Sequence, residues 1–194
     1  MSEVRLLWVN EELLPQDEVA VDPRDRSSTL ADRLLETMQV REGAVVWMER
    51  HFSRLRAGAA VIGLFPLPDN EDLACAVART LAANKITEAA VRLTVSRGVP
   101  AHWGLLPNPE APVTVVVHAQ PFAGYPTGLY DQGMRAFISG VACNERSPTV
   151  GIKHLGPLHY VVARREAAAR GADEALMLNT AARSGAGKIL DKTL

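Results

Sequence analysis

Between Gln120 and Gly133 the chain carries Pro121, Gly124, Pro126 and Gly128. No long helix and no central strand can run through such a stretch, because proline lacks a backbone donor and glycine adds backbone freedom. The chain is therefore expected to divide there. The expected units are a domain over 1–120, a linker over 121–133, and a second domain over 134–194. A length of 194 residues suits one large domain or two small ones.

Periodicity fills in the first part. Arg5 to Val9 reads as a short strand that turns at Asn10-Glu11-Glu12. The polar run 21–33 reads as a surface or binding loop. Leu34–Val40 and Ala44–Met48 form a hairpin around Arg41-Glu42-Gly43. Phe52, Leu55, Ala59 and Ile62 recur at three and four residues, so a helix with one apolar face runs to about Gly63. Asp69 or Asn70 caps a second helix carried by Leu73, Val77 and Leu81. In Ala90–Ser96, Val91, Leu93 and Val95 alternate with Arg92 and Thr94, which predicts a strand with one wet face. Residues 98–112 form a long loop. Pro112–Ala119 is continuously apolar and reads as a strand buried on both faces.

Past the break, Met134–Val141 reads as a strand and Pro148–Leu155 as an irregular segment. Pro157 starts a helix that ends near Arg170 at Gly171, and Ala175–Leu178 is a further strand. Strands outnumber helices without strict βαβα alternation, so the fold class is α+β.

Composition excludes several functions. With 47% hydrophobic and 22% charged residues and a formal net charge of −1, no footprint for nucleic acid is present. No apolar run is long enough to span a bilayer, and the first residues do not read as a signal peptide. Cys75 and Cys143 fit no metal-ligand spacing and read as buried reduced thiols. A cytoplasmic enzyme or binding module with no metal is the expectation.

One lysine stands out. Lys153 lies in S-P-T-V-G-I-K-H-L among Val150, Ile152 and Leu155, in a chain that uses arginine far more than lysine. A lone lysine is normally a solvated charge. A desolvated lysine becomes a nucleophile toward aldehydes. Spacing alone leaves both readings open. The same holds for Arg54, which shares a helix with Arg50 and Arg56 and could simply be solvated. Tyr160 could pack in a core or reach a ligand; His154 and His159 read as structural. Thr37, in the E-T-M element, could face a site or be an ordinary strand residue.

The motifs resolve these choices by likeness. S-P-T-V-G-I-K-H-L, then A-R-R-E-A and A-D-E-A-L-M-L-N-T, resembles the fold-type IV pyridoxal 5′-phosphate (PLP) enzymes. That group includes branched-chain and D-amino-acid aminotransferases and 4-amino-4-deoxychorismate lyase, and G-I-K-H-L is especially similar to the lyase. L-L-E-T-M-Q-V, R-H-F-S-R-L at 50–55 and R-L-T-V-S-R-G at 92–98 follow in family order. The resemblance implies an N-terminal α/β domain plus an incomplete C-terminal domain. It implies PLP as cofactor, Lys153 as its Schiff-base lysine and Arg54 as a phosphate ligand. It also implies a homodimer. The implied activity is release of 4-aminobenzoate and pyruvate in folate biosynthesis. A branched-chain or D-amino-acid aminotransferase and a non-catalytic family member are the alternatives.

Three departures accompany the match. The family's G-D-G-x-F is Ala31-Asp32-Arg33-Leu34-Leu35 here, so Arg33 replaces a glycine. Gly156-Pro157 follows the lysine motif where the lyase pattern has Asn. The stretch around Ser184–Gly187 is neutral where the family carries an acid that pairs with the pyridinium nitrogen, so the C-terminal part is expected to be missing or divergent.

Overall fold

The computed structural model describes residues 4–108, 111–154, 156, 158–179 and 189–192. They form two compact units, one of residues up to 123 together with 152–155, the other of 124–151 and the residues from 156 on.

The first unit is built on a six-stranded sheet. Its strands are β1 (Leu6–Val9), β2 (Glu12–Pro15), β3 (Arg33–Arg41), β4 (Ala44–Val45), β5 (Ala89–Ser96) and β6 (Thr114–Pro121), in the spatial order β2-β1-β6-β5-β3-β4. Every pairing is antiparallel. Its helices are α1 (Arg26–Thr29), α2 (Met48–Ile62) and α3 (Asn70–Ala83).

The expected periodicities explain how α2 and α3 cover one sheet face. Phe52, Leu55 and Ala59 of α2 and Leu73, Ala76, Val77 and Leu81 of α3 are buried against Leu34, Met38, Val40, Val91, Leu93, Val95, Val115 and Val117. Asp69 caps α3 by accepting from the Asp72 N–H at 2.8 Å. Gly63 ends α2 in the left-handed conformation, at φ 62°.

The opposite sheet face is polar. Arg33, Leu35, Thr37 and Gln39 of β3 alternate with the buried set, as do Arg92 and Thr94 of β5 and His118 of β6. This corrects the expectation for Pro112–Ala119. Only Val115, Val117 and Ala119 are fully buried, because β6 has helices on one side of the sheet only. The surface-loop reading of 21–33 is also corrected. Asp25, Arg26 and Ser27 are buried, since their polar groups find partners elsewhere in the unit. Ala31 takes φ 55°, a conformation that costs a non-glycine residue about 1 kcal/mol or more.

The second unit contains α4 (Thr127–Gln132), β7 (Ala136–Cys143), α5 (Leu158–Ala169), β8 (Glu174–Asn179) and β9 (Ile189–Lys192). Strand β7 pairs parallel with β8, and β8 pairs antiparallel with β9. A parallel pair needs a crossover, and α5 lies between the two strands in sequence. Ala163 and Ala167 of α5 pack with Cys143, Ala175 and Met177. Helix α4 occupies part of the stretch expected to be a linker. Cys143 is buried as expected, whereas Cys75 is exposed on α3, outside the Leu73–Val77–Leu81 stripe. No helix among the described residues is long and apolar enough to cross a membrane.

Candidate active site

Lys153 belongs structurally to the first unit. The Leu35 N–H donates to the Lys153 carbonyl at 3.1 Å, and Leu34 bridges His154 in antiparallel register. The segment thus pairs with β3 along the edge away from β5, beyond the reach of the short β4. That register sets Lys153 opposite Leu35. Cross-strand partners share a face, and successive residues alternate. Ile152 should then point to the helices and Lys153 to the polar face. Ile152 does pack against the α2 side of the core: its Cβ lies 3.6 Å from where a Cβ on Gly58 of α2 would sit. Lys153 therefore shares the polar face with Arg33, Leu35, Thr37 and Arg92.

Beside this edge is a cleft of about 390 Å³ lined by Thr37, Gln39, Val46, Trp47, Arg50, His51 and Arg54. Arg54 and His51 are one helical turn apart, and both bind Glu36 from β3. The Glu36 carboxylate is fully buried. It accepts from Arg54 Nε at 2.7 Å and from one terminal nitrogen of the same guanidinium. Its second oxygen lies 2.8 Å from His51 Nδ1. An ionised carboxylate can only accept, so Nδ1 donates to Glu36 in the tautomer that carries its proton there; a terminal nitrogen of Arg54 lies 3.4 Å from the same Nδ1. Hydrogen bonding to Glu36 raises the Arg54 pKa further, against the opposing effect of burial.

Glu36 was missed by sequence reasoning, yet a signal existed. It is the one acid in the inward-facing series Leu34, Glu36, Met38 and Val40. An acid at such a position requires partners. Glu36→Gln keeps the shape but removes the charge that two cation-forming side chains share. It is expected to lower stability by about 1.5–3 kcal/mol, read from urea unfolding midpoints. An unchanged midpoint would show that the triad contributes nothing.

The donor set of the cleft suits an anion with several oxygens. Arg54 is half exposed and keeps one terminal nitrogen without a protein acceptor among the described residues. Arg50, one turn earlier, lies with its guanidinium carbon 5.6 Å from the Trp47 ring centroid. Trp47 itself takes φ 55°, an unusual conformation for so large a residue. The start of α2 adds the positive end of its dipole. Arg50 in the first turn of α2 and the remaining terminal nitrogen of Arg54 are cationic donors that a phosphate can accept from, so the residues present fit PLP at its phosphate end.

Among the other candidates, Thr37 lines the cleft. Tyr160 packs against the core of the second unit. The neutral stretch around Ser184–Gly187 lies outside the described residues. No cluster of three or more metal-ligating side chains occurs among the described residues.

A family model, amino-transferase class IV, matches residues 33–184. The chain belongs to the amino-transferase class IV family. A putative branched-chain-amino-acid aminotransferase of Methanocaldococcus jannaschii is 27% identical over 177 residues, covering 89% of this chain and 59% of the relative. The structure of 4-amino-4-deoxychorismate lyase from Pseudomonas aeruginosa is 31% identical, with a TM-score of 0.79 over 91% of this chain and 62% of that one. The branched-chain amino acid aminotransferase of Escherichia coli is 19% identical, with a TM-score of 0.84 over 92% of this chain and 61% of that one. Another branched-chain amino acid aminotransferase, solved with pyridoxamine 5′-phosphate, has a TM-score of 0.82 at 24% identity. The α+β, fold-type IV expectation is thereby met for part of the full-length fold, since the chain spans less than two thirds of each of these relatives.

Proposed function

We propose that this chain is a PLP-dependent lyase that converts 4-amino-4-deoxychorismate to 4-aminobenzoate and pyruvate, with Lys153 as the residue that carries the cofactor. The observation that carries the reading is the register of the Lys153 segment. It supports the reading by setting Lys153 opposite Leu35, one same-face position from Thr37, which lines the cleft with Arg50 and Arg54; Lys153 itself is not among the lining residues. The 31% identity to the Pseudomonas aeruginosa lyase favours that reaction within the family.

Bound PLP supplies an electrophilic carbon for the substrate amine and an electron sink for the carbanion. The rest falls to the chain. Arg54, held by Glu36, would hold the phosphate, with Arg50 adding charge. Lys153 Nζ, once free, would take the proton from the ring carbon that bears the substrate amine. The C–O bond to the enolpyruvyl group then breaks, the ring becomes aromatic, and the proton is returned to the leaving enolpyruvate carbon as pyruvate forms. A base tethered beside the reacting carbon acts intramolecularly, which is the advantage of using one residue for both transfers. A cytoplasmic setting, a homodimer and a place in folate biosynthesis belong to the same proposal.

A second reading, amino transfer, is favoured by the aminotransferase relatives. One experiment separates the two. The lyase reading expects pyruvate from aminodeoxychorismate with no keto acid added. Amino transfer to 2-oxoglutarate without such pyruvate release would establish the second reading instead. PLP uptake with neither product would mark a family member that has lost turnover.

A further inference from the structure

Trp47 breaks three local rules at one position. It takes φ 55° and ψ 40°, a left-handed conformation that crowds the Cβ of any residue but glycine. It holds the capping position of α2, yet its side chain makes no capping hydrogen bond. It is also 69% exposed, so burial offsets little of either cost. Local preference favours glycine or asparagine here. The tryptophan therefore answers to something other than the start of the helix.

What the ring touches supplies the reason. Arg50 follows three residues later and lies on the same side of the first turn of α2. Its guanidinium carbon is 5.6 Å from the Trp47 ring centroid. The Arg50 N–H donates to the Trp47 carbonyl at 3.0 Å, so ring and guanidinium are tied to one turn. Trp47, Arg50, His51 and Arg54 all line the same cleft. Arg54 lies one turn beyond Arg50, and like charges four residues apart repel. Glu36 balances Arg54, and its second oxygen faces His51 Nδ1. No carboxylate pairs with Arg50 among the described residues. Repulsion from Arg54 and the pull of hydration both favour an Arg50 side chain that swings away into water. The indole face opposes this by cation–π attraction and stacking.

We propose that Trp47 is a positioning residue that holds Arg50 at the cleft as the second cationic donor, beside Arg54, for a phosphate monoester. This rests on the reading of the cleft as the phosphate end of the PLP site. Arg54 already gives Nε and one terminal nitrogen to Glu36, which leaves its other terminal nitrogen for a ligand. A phosphate monoester presents up to two negative charges on three oxygens, more than that one nitrogen can serve. With Arg50 in place, two guanidiniums meet the two charges. The strain at Trp47 is then the cost of holding the second one there.

Pyridoxine 5′-phosphate and pyridoxine differ only in the phosphate, and neither carries an aldehyde for Lys153. Their affinities for the protein, measured by calorimetry, give the phosphate preference directly. The parent should favour the phosphate form by at least about a hundredfold, at about tenfold for each charge-assisted pairing. Trp47→Ala and Trp47→Gly should each lower that preference by about three- to tenfold, while pyridoxine binds as it does to the parent. Trp47→Phe, which keeps an aromatic face, should retain most of it. Combining Trp47→Ala with Arg50→Gln should lose no more than Arg50→Gln alone, because Trp47 acts through Arg50. Stability should move the other way in one variant. Glycine relieves the left-handed strain, so Trp47→Gly should raise the thermal midpoint by about 2–4 °C while it weakens phosphate binding. A tryptophan that served only the fold would give a lower midpoint with the preference intact, and that result would overturn the proposal. So would additive losses in the double variant, or a parent that binds the two ligands alike. If the preference depends on Trp47 and Arg50 but borohydride traps no PLP on Lys153, the positioning role stands and the lyase reading falls. If PLP is trapped on Lys153 while Trp47→Ala keeps the full preference, the positioning role falls alone.

Discussion

Lys153→Ala protein is expected to take up no PLP covalently and to lose turnover by at least ~10²–10⁴-fold, the span that a positioned acid–base group contributes. The parent should develop a PLP-dependent visible band that borohydride bleaches, leaving a pyridoxyl label on the peptide that holds residue 153. The variant should show neither. The substitution leaves the fold intact for a specific reason. Lys153 is tied to β3 through its carbonyl, which accepts from the Leu35 N–H at 3.1 Å, and through its neighbour Ile152, which packs into the core. Both ties survive removal of the side chain, so the thermal midpoint should move little. Lys153→Arg isolates the chemistry further: it restores charge but not a nucleophilic amine, and it should fail equally. The chain has three other lysines, Lys85, Lys188 and Lys192. A borohydride label on one of these, or a trapped band that persists in Lys153→Ala, would sink the assignment.

How much of this was legible in the sequence depends on the range of the interaction. Helix α2 and strand β5 follow from apolar spacing, because each buries a face against whatever lies beneath it. The Asp69 cap is equally local. The short strand β2 was not legible: Glu12–Pro15 has no clear alternation, and it is held by its hairpin with β1. The buried stretch Asp25–Ser27 looked like solvated loop because its partners are remote. Ser96 lies 71 residues from Asp25, and Leu105 lies 79 from Arg26. Composition cannot distinguish a charge that meets water from one that meets a distant backbone carbonyl. Lys153 stood out through likeness to a family; only the register with β3 shows which face it shares. Glu36 carried a local signal, an acid among Leu34, Met38 and Val40, but its partners His51 and Arg54 come from the next helix. Arg33 stood out as a departure from the resemblance, but that its Nε is buried without a hydrogen-bond partner is visible only in the structure.

The largest loss of stability is expected from Asp32→Ala, about 3–5 kcal/mol, the usual result of removing one partner from a buried ion pair. Asp32 Oδ2 accepts from Arg26 Nε at 2.7 Å and from Arg97 Nε at 2.8 Å. Both arginine side chains are only 5% exposed and Asp32 only 14%. Each guanidinium has a second task. Arg26 donates to the carbonyls of Gly104 and Leu105, both at 2.8 Å, and so ties down the 98–108 loop. Arg97 donates to the carbonyls of Gly63 and Ile62, both at 2.7 Å, at the open end of α2. One carboxylate therefore balances two buried cations that hold a loop and a helix end. Without it, two like charges remain buried with only neutral acceptors, and no apolar contact offsets that cost. The thermal midpoint should fall by roughly 6–20 °C at 2–4 °C per kcal/mol for a chain of this size. Burial pushes the Asp32 pKa up, but the hydrogen bonds from Arg97 and Arg26 outweigh it and leave the pKa below the ordinary value. The unfolded chain then binds the proton more readily than the folded one. The carboxylate's contribution is fully present above the ordinary aspartate range and is lost as pH falls through the lower, folded pKa. Asp32→Asn keeps an acceptor without the charge, so it should lie between Ala and the parent at neutral pH and lose this acid-sensitive component. A midpoint for Asp32→Ala within a degree or two of the parent at pH 7 would mean that the neutral carbonyls alone satisfy both arginines.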